Sequence, residues 1–170
     1  MRNYLWDSYR AAIIPDLFHS GDHDVRHTRR VLYLAGCIAE AYELSSSDLF
    51  VLGMSCVFHD IGREDDKTDT EHGEKSVQMI KEQKLFSDYH MSEQERDCIY
   101  RLIIFHCRND EEFIPKNKKE WLLYCILKDA DALDRVRFLG LKPRYLRLPE
   151  SKKKILLAFM LLFLSYIFLL

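Results

Sequence analysis

Six positions carry side chains of the types that could build a metal centre: His27, His59, Asp60, His72, His106 and Asp129. The most pointed of them sit in "CVFHDIGRED", residues 56–65, where an apolar run ends on adjacent His59 and Asp60 and turns at once on Gly62. A buried carboxylate is costly unless it is paired or bound to a cation. Taken singly, the other positions have ordinary readings. His27 reads as a surface histidine, His106 in "LIIFHC" as a hydrogen-bonded core histidine, and Asp129 in "LKDADALD" as a partner of Lys128. Together they fall on five successive predicted helices, and helix bundles build metal sites in this way from facing helices. One shared site accounts for all of them better than five accidents.

The elements that must position them read as helices joined by short polar loops. Predicted helices cover about Asn3–Phe18, Asp24–Glu43, Ser45–His59, Glu71–Lys84, Ser92–Cys107 and Lys119–Leu139. "SSSD" at 45–48 and "SEQE" at 92–95 are capping patterns that open two of them. Pro115 breaks one loop, and "GLKP" at 140–143 ends the sixth helix. No alternating strand pattern, repeat or low-complexity linker interrupts this, so the expected fold is all-α in a single domain.

Composition narrows the classes. The chain has 170 residues, 48% hydrophobic and 31% charged, which suits one domain with a real core. A net charge of -2 gives no global attraction to a nucleic-acid polymer. The five cysteines include no CxxC pair and lie mostly in apolar runs, so they read as reduced thiols of a cytosolic protein. The N-terminal stretch carries charges through its middle and reads as a first helix, not a signal peptide.

The order and context of the motifs resemble the HD-domain superfamily of metal-dependent phosphohydrolases. "HTRRV" from His27 is similar to its first motif and "HDIG" from His59 to its second. "HGEKSV" from His72 looks like the HA..SA segment, and "DADALD" from Asp129 like the last motif. The resemblance covers about residues 22–139. It implies an HD-type helical bundle over 1–150 in which His27, His59, Asp60 and Asp129 bind one divalent metal. His72 and His106 then bind a second metal or touch substrate phosphate. Imidazole plus carboxylate suits Mn, Fe, Co, Ni or Zn, at one or two ions per chain. Asp60, with two oxygens, is the natural bridge.

The implied reaction is attack of metal-activated water on a nucleotide or similar small phosphate ester. Asp60, Arg63 and Glu64 are the expected catalytic residues, with Asp65 as a second acid for orienting water. Arg30, Arg63, His72 and His106 are the expected phosphate contacts, followed by Lys75 and Arg135. Two other functions fit the same ligand set: an HD-fold di-iron oxygenase, and a non-catalytic helical binding protein stapled by its metal. A cyclic-dinucleotide phosphodiesterase is disfavoured, because His106 is followed by "CRNDEEFIP" with no Gly-Tyr-Pro signature. A guanosine tetraphosphate hydrolase is disfavoured because "RED" after the HD segment only loosely echoes its acidic pair.

Residues 151–170 stand apart. "ILLAFMLLFLSYIFLL" from Ile155 is apolar on every helical face and follows Lys152, Lys153 and Lys154. The run falls just short of the ~17 residues a spanning helix needs. It reads either as an anchor with its lysines on the cytosolic side or as a last helix docked on the domain or on a second copy. The expected location is accordingly the cytoplasm or the cytoplasmic face of a membrane, with a homodimer as one way to cover the helix.

Overall fold

The computed structural model describes residues 3–18, 24–65, 67 and 69–168, and side chains as far as 164. Among the described residues the protein is all-helical, with no strand. Its helices are α1 (Tyr4–Tyr9), α2 (Val25–Ala39), α3 (Ser46–Phe58), α4 (His72–Glu82), α5 (Glu93–Phe105), α6 (Lys118–Asp134), α7 (Pro149–Lys152) and α8 (Ile155–Phe168). The two serine capping boxes form as the sequence predicts, with Ser45 accepting from Asp48 N and Ser92 from Glu95 N.

The first predicted helix is shorter than its pattern. α1 stops at Tyr9 and is followed by 3-10 turns at Arg10–Ala12 and Pro15–Leu17. Pro15 has no N–H to give a continuing helix, so the chain turns there. α2 ends at Ala39 rather than Glu43. α6 ends at Asp134, and the last predicted turn is a 3-10 segment at Arg135–Phe138, closed by Leu139 in the left-handed region at φ 54°.

α2 and α6 form the central pair, with α3 against α2 and α5, and α4 against α5. Leu34 and Ile38 of α2, Leu52 and Cys56 of α3, Leu102 of α5 and Ile126 and Leu127 of α6 are fully buried between them. Two glycines let helix ends approach where the histidines must meet. A Cβ on Gly62 would lie 2.2 Å from the Ser76 backbone nitrogen, so the turn after Asp60 closes directly onto α4. Ser76 fixes this contact by donating to the His59 carbonyl at 2.8 Å and accepting from Gly62 N at 2.9 Å. A Cβ on Gly73 would lie 2.4 Å from the Ile103 carbonyl oxygen, so the start of α4 sits against the end of α5. These two approaches bring His59, His72 and His106 to one place.

α8 packs on α2, α6 and the Arg135–Phe138 turn. Among the described residues no helix is long and apolar enough to cross a membrane. The free cysteines Cys56 and Cys125 are buried, and Cys37, Cys98 and Cys107 are half-buried.

Candidate metal centre

Four imidazoles and one carboxylate converge between the helix ends. Asp60 Oδ2 lies 3.4 Å from His27 Nε2 and 3.5 Å from His59 Nε2. Its other oxygen, Oδ1, lies 3.0 Å from His72 Nε2 and 3.2 Å from His106 Nε2. Asp131 Oδ1 joins the first pair at 3.3 Å from His27 Nε2. The donors therefore divide into two groups that share Asp60, one oxygen to each. All of these side chains are buried except Asp131, which is half-buried.

The opposite ring nitrogens are all engaged. His59 Nδ1–H donates to the Cys56 carbonyl at 2.9 Å, and His72 and His106 donate to the carbonyls of Asp69 and Ile103, each at 2.6 Å. His27 Nδ1–H donates to Asp134 Oδ2 at 2.7 Å. In its neutral form an imidazole has one N–H, so these contacts leave each Nε2 as the nitrogen that can offer a lone pair to a metal. His72 Nε2 and His106 Nε2 stand 2.9 Å apart, and His27 Nε2 and His59 Nε2 3.3 Å apart. Lone pairs facing at these distances repel unless a cation takes both. The donors fit a divalent transition metal by type and by orientation. His27, His59, Asp60 and Asp131 would hold one ion, and Asp60, His72 and His106 a second.

The HD-domain family model matches residues 24–136, about two thirds of the chain, and spans every one of these donors. The chain belongs to the HD-domain family. No curated protein and no solved structure matches it.

In this HD domain the carboxylate from α6 is Asp131, not Asp129. Asp129 is fully buried on the other side of α6. Its oxygens accept from the backbone N–H groups of Arg147, at 3.0 and 2.9 Å, and Leu148, at 2.8 Å, and from Arg147 Nη1 at 3.1 Å. It anchors the segment leading into α7. Asp134, the third aspartate of the motif, orients His27. Arg30 Nε at 2.5 Å and Arg137 Nη1 at 2.6 Å pair with the same carboxylate. Arg30 is thereby corrected from a phosphate contact to a support of Asp134, buried and outside the cleft described below.

Glu64 is corrected too. Its side chain is 80% exposed and, among the described residues, pairs only with Lys75, at 3.8 Å. Asp65 pairs with Lys67 at 3.4 Å. Among the described residues of this loop, the acid that lines the cleft is Asp69, which accepts from Glu71 N at 2.7 Å and Lys75 Nζ at 3.2 Å. His19 and His23, read as surface or supporting histidines, lie outside the described residues. Cys107 is an addition: it shares a metal-compatible group with His72 and His106, and its thiol, pushed up by burial, donates to the Thr70 carbonyl at 3.2 Å.

The electrostatics favour a cation here. Burial opposes a charged His27, but hydrogen bonds to Asp131, Asp134 and Asp60 outweigh it and raise its pKa to about 10, so without a metal a proton occupies His27 Nε2, and a metal ion would displace it. Burial lowers His59 to about 4, so it is neutral near pH 7. Burial alone would raise Asp131 and Asp134, yet contact with His27 holds both below the usual carboxylate range.

The centre opens into a cleft of about 940 Å³, walled by the loop after Gly62, the segment after α5, the end of α6 and residues 145–147. Most cations of the wall are already engaged. Arg147 and Lys128 serve Asp110 and Asp129, Arg137 serves Asp134, and Arg108 serves Glu74. Two have no carboxylate partner among the described residues. Arg63 reaches the Lys67 carbonyl through Nη1 at 3.4 Å while its buried Nε–H has no hydrogen-bond partner, and Arg135 is exposed.

Asp110 yields a pH prediction. Burial would raise it, but Arg147 and Lys128 outweigh burial and lower it to about 2. A depressed folded-state carboxylate gives stability that is present above its unfolded value of about 4 and lost as pH falls. Wild type is thus expected to be more stable than Asp110→Asn near neutrality. In urea titrations of metal-free protein, that gap closes between pH 4 and 2.

Proposed function

We propose that this HD domain is a metal-dependent phosphohydrolase that cleaves a nucleotide or similar small phosphate ester. The observation that carries the reading is the placement of Arg63 and Arg135, two cations with no carboxylate partner among the described residues, on the wall of the cleft into which the histidine and aspartate cluster opens. A guanidinium with no carboxylate partner on the cleft wall gives a phosphoryl oxygen charge-assisted hydrogen bonds. HD domains are in general metal-dependent hydrolases, and a metal held here supplies water of lowered pKa as the nucleophile.

The chain's own residues perform the rest. The carbonyls of Cys56, Asp69 and Ile103 and the carboxylate of Asp134 hold the imidazoles in the tautomer that leaves Nε2 open. Arg63 and Arg135 bind and orient the phosphoryl group and balance the charge that grows on its oxygens. Asp69 is the acid placed to hold a water or accept a proton at the cleft edge.

The test is phosphate or pyrophosphate release by metal-loaded protein across a panel of nucleotides and sugar phosphates, beside a His59→Ala/Asp60→Ala control. Turnover by wild type alone, abolished by chelator, supports the proposal. No release from any member by fully loaded protein overturns it. Iron near two per chain with oxygen uptake would move the reading to an oxygenase, since the same six donors suit two irons.

A further inference from the structure

α8 covers part of the domain with one face and leaves the other bare. Ala158 is buried, and Ile155, Leu157, Leu161 and Leu162 pack against the core. Leu156, Phe159, Met160 and Phe163 are 72, 45, 53 and 65% exposed. Their spacing of three, four and seven residues is one continuous helical stripe. The turn on which α8 packs adds Leu139, 89% exposed, and Phe138, 47% exposed. A contiguous patch of this kind on a folded domain marks an interaction surface.

The charge beside the stripe says what covers it. Lys152, Lys153 and Lys154 immediately precede α8. Lys153 pairs with Glu150 at 2.7 Å, while Lys152 and Lys154 have no carboxylate partner among the described residues. Residues 155–168 contain no acid. A second copy docking stripe to stripe would bring apolar side chains, and the stripe itself carries no carboxylate for these lysines. An anionic lipid surface brings both, an acyl boundary for the stripe and headgroup phosphates for the lysines. Among the described residues α8 is not long enough to cross, and with one face packed on the domain it would lie in the interface plane.

We propose that the exposed face of α8, with Lys152 and its neighbours, docks the protein peripherally on an anionic bilayer surface. Phe138 belongs to both this face and the wall of the catalytic cleft, so docking brings the cleft rim beside the membrane.

The test is co-sedimentation of the full chain with vesicles of equimolar phosphatidylglycerol and phosphatidylcholine, beside vesicles of phosphatidylcholine alone and a vesicle-free control. Sedimentation with the anionic vesicles only, weakening as salt rises, is expected. A lysine near an anionic surface is worth about fivefold in partitioning. The double variant Lys152→Glu/Lys153→Glu should therefore lower binding by at least about tenfold. Leu156→Ser/Phe163→Ser should abolish it, while its circular dichroism and bound metal stay at wild-type levels. No sedimentation of wild type, or equal sedimentation with both vesicle types, overturns the proposal. So does a dimer in solution that Leu156→Ser/Phe163→Ser converts to monomer in the absence of vesicle binding, which would assign the face to a second copy.

Discussion

Asp131→Asn is expected to purify with little bound metal and to lose turnover, while Asp129→Ala keeps its metal and loses stability. The two residues lie two apart on α6, or about 200° around the helix, and so serve opposite faces. Asp131 approaches His27 within 3.3 Å on the donor side. Asp129 instead takes the N–H groups of Arg147 and Leu148 and the Arg147 guanidinium. Truncating Asp129 leaves these donors without an acceptor, a loss of about 3–5 kcal/mol for a broken buried pair. For a chain of this size that lowers Tm by roughly 10 °C. Metal analysis by mass spectrometry and thermal melts of both variants check the pair of outcomes. An Asp129→Ala protein that stays folded and loses its metal would reverse the assignment.

The second large effect is at Asp60. Asp60→Asn keeps the shape of the side chain but removes the one carboxylate common to both donor groups. Bound metal should fall throughout the centre, and turnover should fall by about a thousandfold or more, because the activated nucleophile is lost. His106→Ala touches one group only. If two ions bind, it should retain about one of them, held by His27, His59, Asp60 and Asp131. The measurement is metal per chain together with initial rate for both variants, with circular dichroism to exclude unfolding. Equal metal loss in the two variants would show that the donor groups do not act as separate sites.

The fold was legible because its signals are local. Ser45 and Ser92 cap the helices they precede, Gly62 follows the pair it must turn, and the histidines end or begin the helices on which they were placed. The α6 carboxylate was not legible. "DADALD" offers three aspartates within two turns, and α6 is buried on several faces, so apolar spacing does not tell which aspartate points to the centre. Arg30 misled through proximity, since one turn after His27 reads as the same site. It is the same site seen from behind, through Asp134. Glu64 misled in a similar way. It is close to Asp60 in sequence, but the turn at Gly62 sends its side chain into solvent, and the loop returns with Asp69 instead. Arg135 kept its place because the helix ends one residue before it, leaving the side chain free to face the cleft.

His59 and His106 each receive their orientation from a carbonyl three residues earlier in the last turn of their own helix. Each such imidazole is aimed by a segment of four residues, with no help from the loops that wall the cleft. The reactive centre and the specificity surface are therefore mechanically separate parts. Insertions or substitutions between Gly62 and Asp69, or after Cys107, can reshape what enters the cleft without re-aiming these two donors. An engineer seeking a new substrate for this scaffold would randomise those loops and leave the last turns of α3 and α5 alone.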